Sequence, residues 1–494
     1  MTATVSQDRA ARPRRGQGRP ATVVPVLALA VFMSSLDLFI VNLAFPSISR
    51  QYPGTGLGTL SWVLNAYTIV FAAVLVPAGR WADRVGRKRI FLGGLAVFGF
   101  GSMLSALAPG VDALIAARVL QAAGAGLMVP ASLSILLSAV PSLLRGRAIG
   151  TWSAFGAFGA AVGPVVGGSL VQLDWRLVFW INVPVSVVAL GWAIRAVPES
   201  RDDHSSGRPD LVGAGMLCSA VGLVALALVE APTWGWASAA FVALVVGSLA
   251  TTGAVVLRSR SHPAPVVELG LLGIQSFAGA IGASLLYYAA FGAWLLALVE
   301  FLTGVWHYSA VRAGLAIAPG PLMVLPFARV VSARLAGPLR GPWRVAALGC
   351  ALGVVAQLYF LGHLETHPSY LIALLPAQLI GGAGVGLAIP SLIAAGTVAL
   401  PAARFGTGSG VLNMARQIGT VIGVAALIAL LAPLSPHHPL VPFRHAITLV
   451  ASLFAAAAVL AALLGRRGAP STQPSGRPSL EPGESLARET LGLP

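Results

Sequence analysis

The chain has 494 residues, 56% of them hydrophobic and only 10% charged, with a mean hydropathy of +0.83. A soluble globular domain carries about 25% charged residues, so composition excludes a water-soluble fold and points to a polytopic all-α membrane protein. The net charge of +16 raises nucleic-acid binding, but no basic stripe is interleaved with aromatics, and that class is set aside.

Residues 1–22 read as a basic N-terminal tail. The first apolar run, Val23–Phe45, reads VVPVLALAVFMSSLDLFIVNLAF. It is too long for the core of a signal peptide and no small-residue cleavage site follows, so it is expected to be a retained membrane helix. Its single charge is Asp37. A carboxylate at membrane depth costs roughly 2.5–3.5 kcal/mol even on mild insertion scales. Asp37 is therefore read as a proton or substrate site, against the alternative of an idle, permanently paired acid. About twenty apolar residues cross a bilayer as helix, and thirteen further runs follow. Those of the first half are Thr59–Ala78, Ile90–Leu107, Ala113–Leu137, Ala148–Leu170 and Leu177–Val197. Leu211–Val229 and Ala237–Leu257 come next. The last six are Gln275–Thr303, Ala313–Val331, Val345–Gly362, Tyr370–Ala395, Phe405–Ala432 and Ala446–Leu464.

Charge tests this count. With the N-terminus placed in the cytoplasm, the inside segments hold 26 of the 32 basic residues. The outside loops hold Arg50, Arg176, Arg312 and Arg444, and Arg118 and Arg416 fall in the middle of runs; Arg195 and Arg329, at the inner ends of theirs, count as inside. Positive charge gathers on the cytoplasmic side, so both termini are expected there. The expected units are a six-helix bundle over 23–197, a linker with two extra helices over 198–274, and a second six-helix bundle over 275–464. The Pro-, Ser- and Glu-rich tail 465–494 is expected to be disordered. Cys218 and Cys350 have no partner spacing and read as small buried hydrophobes. Arginine outnumbers lysine 31 to 1, which fits a GC-rich bacterial source.

An internal repeat supports the two halves. AARVLQAAGAGLMVP (Ala116–Pro130) lies over PAQLIGGAGVGLAIP (Pro376–Pro390) at a constant offset of 260, matching Gly124, Gly126, Leu127 and Pro130 to Gly384, Gly386, Leu387 and Pro390. Gly163 and Gly167 lie more weakly over Gly419 and Gly423. Six-helix halves with both N-termini inside form a parallel repeat, as in one large class of transporters. Arg118 faces Gln378 in this alignment, so the halves share a scaffold but not a mechanism.

The loop after the second run reads GRWADRVGRKR, Gly79–Arg89. Gly79 and Gly86 would let the chain turn, Asp83 would pair with a neighbouring Arg, and Arg84 and Arg87 add to the inside charge. The fifth run carries GAAVGPVVGG, with Gly159, Gly163 and Gly167 forming a flat ridge for a close helix neighbour, Pro164 able to bend the helix, and Gly168 beside it. The fourth run holds Arg118 and Gln121 ahead of its glycines. A buried Arg needs a partner, and Asp37 is the first candidate. With LDLFIVNLAFP (Leu36–Pro46), WVLNAY (Trp62–Tyr67) and DWRLVFWINVP (Asp174–Pro184), these segments resemble the fourteen-helix drug:proton antiporters of the major facilitator superfamily, over nearly all of Val23–Leu464. The resemblance implies that the Gly79–Arg89 loop is a conformational latch and that the fifth-run pattern goes with antiport. Two departures stand out: Ala122 replaces a strict Gly, and the second-half loop Ala333–Arg344 has lost the Asp.

Glu300, in the ninth run, is the other acid at membrane depth. Repeat symmetry with the first run places it across a central cavity from Asp37, so Asp37, Arg118 and Glu300 are the expected proton-coupling residues. Some antiporters resembling this chain carry acids on the thirteenth helix. This one carries Asn413, Arg416 and Gln417 instead, which argues against a strong preference for divalent organic cations. With Asn42, Asn65, Tyr67, Gln121 and Trp152 they are expected to line a cavity for an amphipathic organic molecule. The leading function is proton-coupled export of a drug or secondary metabolite from a bacterial cytoplasmic membrane, with uptake or export of a non-drug metabolite as the alternative. Small-molecule cargo, protons and membrane lipid are the expected partners of a monomer. A membrane enzyme would need a catalytic or metal constellation; no such spacing is found, His437 and His438 read as loop residues, and no cofactor or metal is expected. A transport-dead sensor would be expected to lose Asp37 or the fifth-run glycines.

Overall fold

The computed structural model describes residues 20–140, 142–200, 210–263, 265–328, 339, 341–397, 400, 405–431 and 439–466. The ends of both tails, residues 201–209, most of the Ala333–Arg344 loop, His437, His438 and the Asp83 side chain lie outside the described residues. Each of the fourteen apolar runs falls, over its described residues, on a helix. In chain order they are α1 (Pro20–Gln51), α2 (Leu57–Val85), α3 (Arg87–Ala106), α4 (Val111–Ala139) and α5 (Ser142–Leu173). Next come α6 (Leu177–Ala196, stepped at Ile181), α7 (Leu211–Trp234), α8 (Ala239–Ser261) and α9 (Gln275–Val305). The last five are α10 (Ala310–Pro326), α11 (Pro342–Gly362), α12 (Tyr370–Thr397), α13 (Phe405–Leu431) and α14 (Leu440–Arg466).

Helix is the form that satisfies every backbone polar group within its own segment, which lipid demands. Among the described residues twelve of these helices are long and apolar enough to cross a membrane, as expected of a multi-pass membrane protein. The other two are α5, a 32-residue helix whose apolar stretch is Val162–Leu173, and α10. Pro319 begins the second segment of α10, so the helix is stepped after Ile317.

The repeat seen in sequence recurs in the packing. A Cβ on Gly94 of α3 would meet the Met128 nitrogen at 2.6 Å and the Gly124 carbonyl at 3.0 Å. A Cβ on Gly349 of α11 would meet the Ala388 nitrogen at 2.5 Å and the Gly384 carbonyl at 2.7 Å. Gly384 and Ala388 are the 260-residue counterparts of Gly124 and Met128. Gly126 packs on Phe71 and Val74 of α2, and its counterpart Gly386 on Val324 of α10 and on Phe327 just past it. Thus α4 sits on α2 and α3 as α12 sits on α10 and α11, with glycines setting the approach in both.

The halves meet along α2 with α13 and α5 with α10, and α1 touches α9 and α10. The extra helices pair with each other, and α7 lies against α2 and α13, over the seam. Asp210 caps α7 by accepting from the Gly213 nitrogen (2.8 Å) and holds Arg258 of α8 at 2.7 Å. In α8 only 11% of the apolar window is buried, so its outer face, with Val242, Val246 and Leu249, is left for lipid.

Candidate functional site

Asp37, half-way along α1, is fully buried, and Arg118 of α4 is 1% exposed. Arg118 Nη1 donates to Asp37 Oδ2 at 2.6 Å and to Gln121 Oε1 at 2.7 Å, and its Nε donates to the Val63 carbonyl of α2 at 3.2 Å. The guanidinium lies 4.0 Å above the Tyr67 ring and 5.6 Å from that of Phe179. Asp37 Oδ1 accepts from Gln121 Nε2 at 2.8 Å and from Asn182 Nδ2 of α6 at 3.0 Å. Ser102 of α3 takes second bonds from both amides (2.9 and 3.1 Å) and donates to the Phe179 carbonyl at 3.1 Å. The expected Asp37–Arg118 pair is formed, inside a network drawing on α1, α2, α3, α4 and α6.

Both carboxylate oxygens are occupied by donors. Asp37 Oδ2 has one donor and an open lone pair; a proton taken there would remove the counter-charge of Arg118 while the carboxyl kept acceptor capacity. Removing one member of a buried pair costs about 3–5 kcal/mol because the other charge is stranded. Protonation and helix packing are therefore linked at this point. The repeat shows the contrast: Gln378, at the place of Arg118, donates to the Ile317 carbonyl at 3.1 Å, so the bond to the neighbouring helix survives and the charge does not.

A separate cavity of about 50 Å³ lies between the halves. Leu38, Asn42, Leu64, Asn65 and Thr68 face it from α1 and α2. Tyr288, Phe291, Gly292 and Leu295 face it from α9, and Arg416, Gln417, Thr420 and Val424 from α13. A few waters fit such a volume; drug-sized ligands occupy about 300–1,000 Å³, so a ligand of that size would require the halves to part.

Of the expected cavity residues, Asn42, Asn65, Arg416 and Gln417 line this space. Asn413 stands one turn away and accepts from Arg416 Nη1 at 2.9 Å. Tyr67 and Gln121 belong to the Asp37 network instead. Trp152 turns to α4 and donates to Ser132 at 3.0 Å. It does not line this cavity, its face of α5 being turned to α4 of its own bundle. Glu300 also departs from expectation. It is the last residue of the regular part of α9, five residues beyond Leu295, and does not line the cavity. It is half-buried with Oε1 unpartnered among the described residues. Equal helix numbers in a repeat do not bring equal heights: Asp37 is mid-helix, Glu300 near an end.

The glycine ridge of α5 packs inside its own half. A Cβ on Gly159 would lie 2.6 Å from the Phe32 carbonyl and one on Gly163 2.8 Å from Phe39 Cβ, while Gly167 faces Ile40. The ridge thus cradles the stretch of α1 that carries Asp37. Contact with the other half falls to Gly168, whose Cβ would lie 2.5 Å from the Ala310 carbonyl of α10, and to Pro164, whose carbonyl meets Gly314. These contacts close the halves at the end of the bundle away from the chain termini.

In the Gly79–Arg89 loop only Gly86 turns, with φ +126°. Gly79 is inside α2, so its expected role as a turn is corrected: the helix runs about two turns further than the apolar run. A Cβ on Gly86 would meet the Glu199 carboxylate at 2.8 Å. Glu199, just past α6, accepts from the Lys88 nitrogen at 3.2 Å and lies 3.8 Å from Arg89 Nε, while the Arg87 nitrogen donates to the Ser200 carbonyl at 2.9 Å. Arg84 is exposed. Sequence reasoning missed Glu199, Ser102, Asn182, Thr68 and Tyr288. Asn182 stands in the quoted DWRLVFWINVP segment, and its polarity in an apolar run was an available signal; Ser102 gave none.

The sequence model of the Major Facilitator Superfamily matches residues 27–424. The multidrug resistance protein Stp of Mycobacterium tuberculosis is 33% identical over 422 residues, 83% of this chain and 76% of that protein. The puromycin resistance protein pur8 of Streptomyces alboniger is 34% identical, covering 84% and 81%. The methylenomycin A resistance protein of Streptomyces coelicolor is 32% identical, covering 82% and 84%. A crystal structure of the peptide transporter POT in complex with sulfate superposes with a TM-score of 0.66 at 18% identity, covering 92% and 96% of the two chains. That likeness is one of fold.

Proposed function

The chain belongs to the Major Facilitator Superfamily, and on that premise we propose that it exports drugs or amphipathic secondary metabolites by alternating access, in exchange for protons. Relatives named for multidrug, puromycin and methylenomycin A resistance support the cargo class. The observation that carries proton coupling is the Asp37–Arg118 pair, buried and tied by two further amide hydrogen bonds.

A proton arriving at Asp37 removes the counter-charge of Arg118, and the five helices sharing the network shift to re-satisfy the guanidinium. The shift passes through α1 to the glycine ridge of α5, and so to the contact of Gly168 and Pro164 with α10. Proton binding biases alternating access only because its affinity differs between the two states. Glu300, with a buried and unpartnered oxygen, serves as a second carboxyl on the proton route, outside the cargo cavity. The Gly79–Arg89 loop, with Asp83, acts as the latch. All fourteen helices cross the bacterial cytoplasmic membrane, with both termini inside, two six-helix bundles over 23–197 and 275–464, and the monomer as the working unit. The test is a cargo panel on everted vesicles, following collapse of a preset pH gradient. Gradient collapse with several amphipathic drugs, absent in vesicles lacking the protein, is the expected result; no collapse with any of them refutes the reading.

A further inference from the structure

Arg118 and Arg416, each in the middle of a membrane helix, solve the same problem differently. Arg118 has a carboxylate at 2.6 Å and a carbonyl for its Nε. Arg416, in the cavity between the halves, has neither. Its Nη1 donates to Asn413 at 2.9 Å, its guanidinium lies 4.5 Å from the Tyr288 ring centroid, and its buried Nε has no acceptor among the described residues. Among the described residues no Asp or Glu lines the cavity and Arg416 forms no ion pair. A guanidinium is always charged, and a charge withdrawn from water is costly unless paired. A ring face and one amide oxygen do not neutralise it.

We infer that Arg416 is the cargo's anchor, and that it selects amphipathic molecules bearing a carboxylate. This deepens the proposed function and rests on it. A planar carboxylate can take two parallel hydrogen bonds from a guanidinium edge, and the free Nε belongs to such an edge. The rest of the lining suits the remainder of that molecule: Phe291, Leu64 and Leu295 offer apolar surface, and Asn65 and Gln417 offer amides. Arg416 lies in the second half and Asp37 in the first, so cargo acid and proton occupy separate groups on the two moving bodies. An acid entering the parted cavity supplies the counter-charge that the cavity lacks.

The test pairs fluorescein with its methyl ester, which differ in the carboxylate, and adds tetraphenylphosphonium as a cation. Thermal unfolding of the purified full chain in detergent reads binding without requiring transport, and everted vesicles read gradient collapse. The expected result is a wild-type protein stabilised by the acid at a concentration at least about tenfold lower than by the ester. The acid-to-ester ratio should fall towards one in Arg416→Gln and be largely kept in Arg416→Lys. Equal responses to acid and ester in the wild type, absence of any stabilisation by the acid, or an unchanged ratio in Arg416→Gln overturns the inference. If the acid binds selectively but no compound collapses the gradient, the transport reading fails while the anchor stands.

Discussion

At the scale of single residues, the account turns on how two buried charges are partnered. Asp37 is held by three donors, so Asp37→Asn keeps the size but removes the counter-charge of Arg118. Stranding a buried charge costs about 3–5 kcal/mol. The expected outcome is a marked drop in thermal unfolding temperature, with detergent-solubilised protein still folded at low temperature. A variant as stable as wild type would show that Arg118 does not depend on Asp37. Arg118→Gln copies what Gln378 does in the second half, so it should keep the bond to Val63 yet leave Asp37 alone, and it should be no better a transporter than Asp37→Asn. Glu300 lies outside the cavity, so Glu300→Gln should leave cargo binding within about twofold, a free-energy change below about 0.5 kcal/mol, while slowing proton-driven turnover. A large loss of equilibrium binding would return Glu300 to the cargo site.

At the scale of elements, the glycines decide which helices can touch. Gly163 and Gly168 differ in the neighbour they admit: α1 of the same half for the first, α10 of the other half for the second. Gly168→Val places branched carbon where the Ala310 carbonyl stands and should hold the bundle open at the end away from the termini. Cysteines engineered on the cavity wall should then react faster with a reagent added from that side; unchanged labelling would remove the contact from the gating surface. Gly163→Leu should instead wedge α1 from α5, lowering both stability and transport without that directional change in labelling. The Glu199–Arg89 pair is mostly exposed, at 35% and 68%, so Glu199→Ala should cost less than about 1 kcal/mol in a denaturation experiment.

At the scale of the whole molecule, the helices and the repeat were legible in the sequence because lipid leaves the chain few options. Apolar length marks a helix, and the glycines shared at 260-residue spacing mark the packing that recurs in α4 and α12. Asp37 and Arg118 were legible as partners because each is expensive alone. What the sequence did not show is depth and rotation. Glu300 and Asp37 sit on corresponding helices at different heights, and Trp152 faces its own bundle, since hydropathy has no phase in a helix that is apolar all round. Ser102 and Asn182 enter the network only through tertiary contact, and Glu199 reaches the Gly86 turn from more than a hundred residues away. The central claim is that a proton on Asp37 and movement of cargo are one equilibrium. The most direct measurement places wild-type and Asp37→Asn protein in liposomes, follows accumulation of a transported fluorescent drug under an imposed pH gradient, and repeats it as drug exchange with no gradient. The account predicts that wild type does both and that Asp37→Asn exchanges drug but no longer responds to the gradient. An Asp37→Asn protein that still accumulates drug in proportion to the gradient would contradict it.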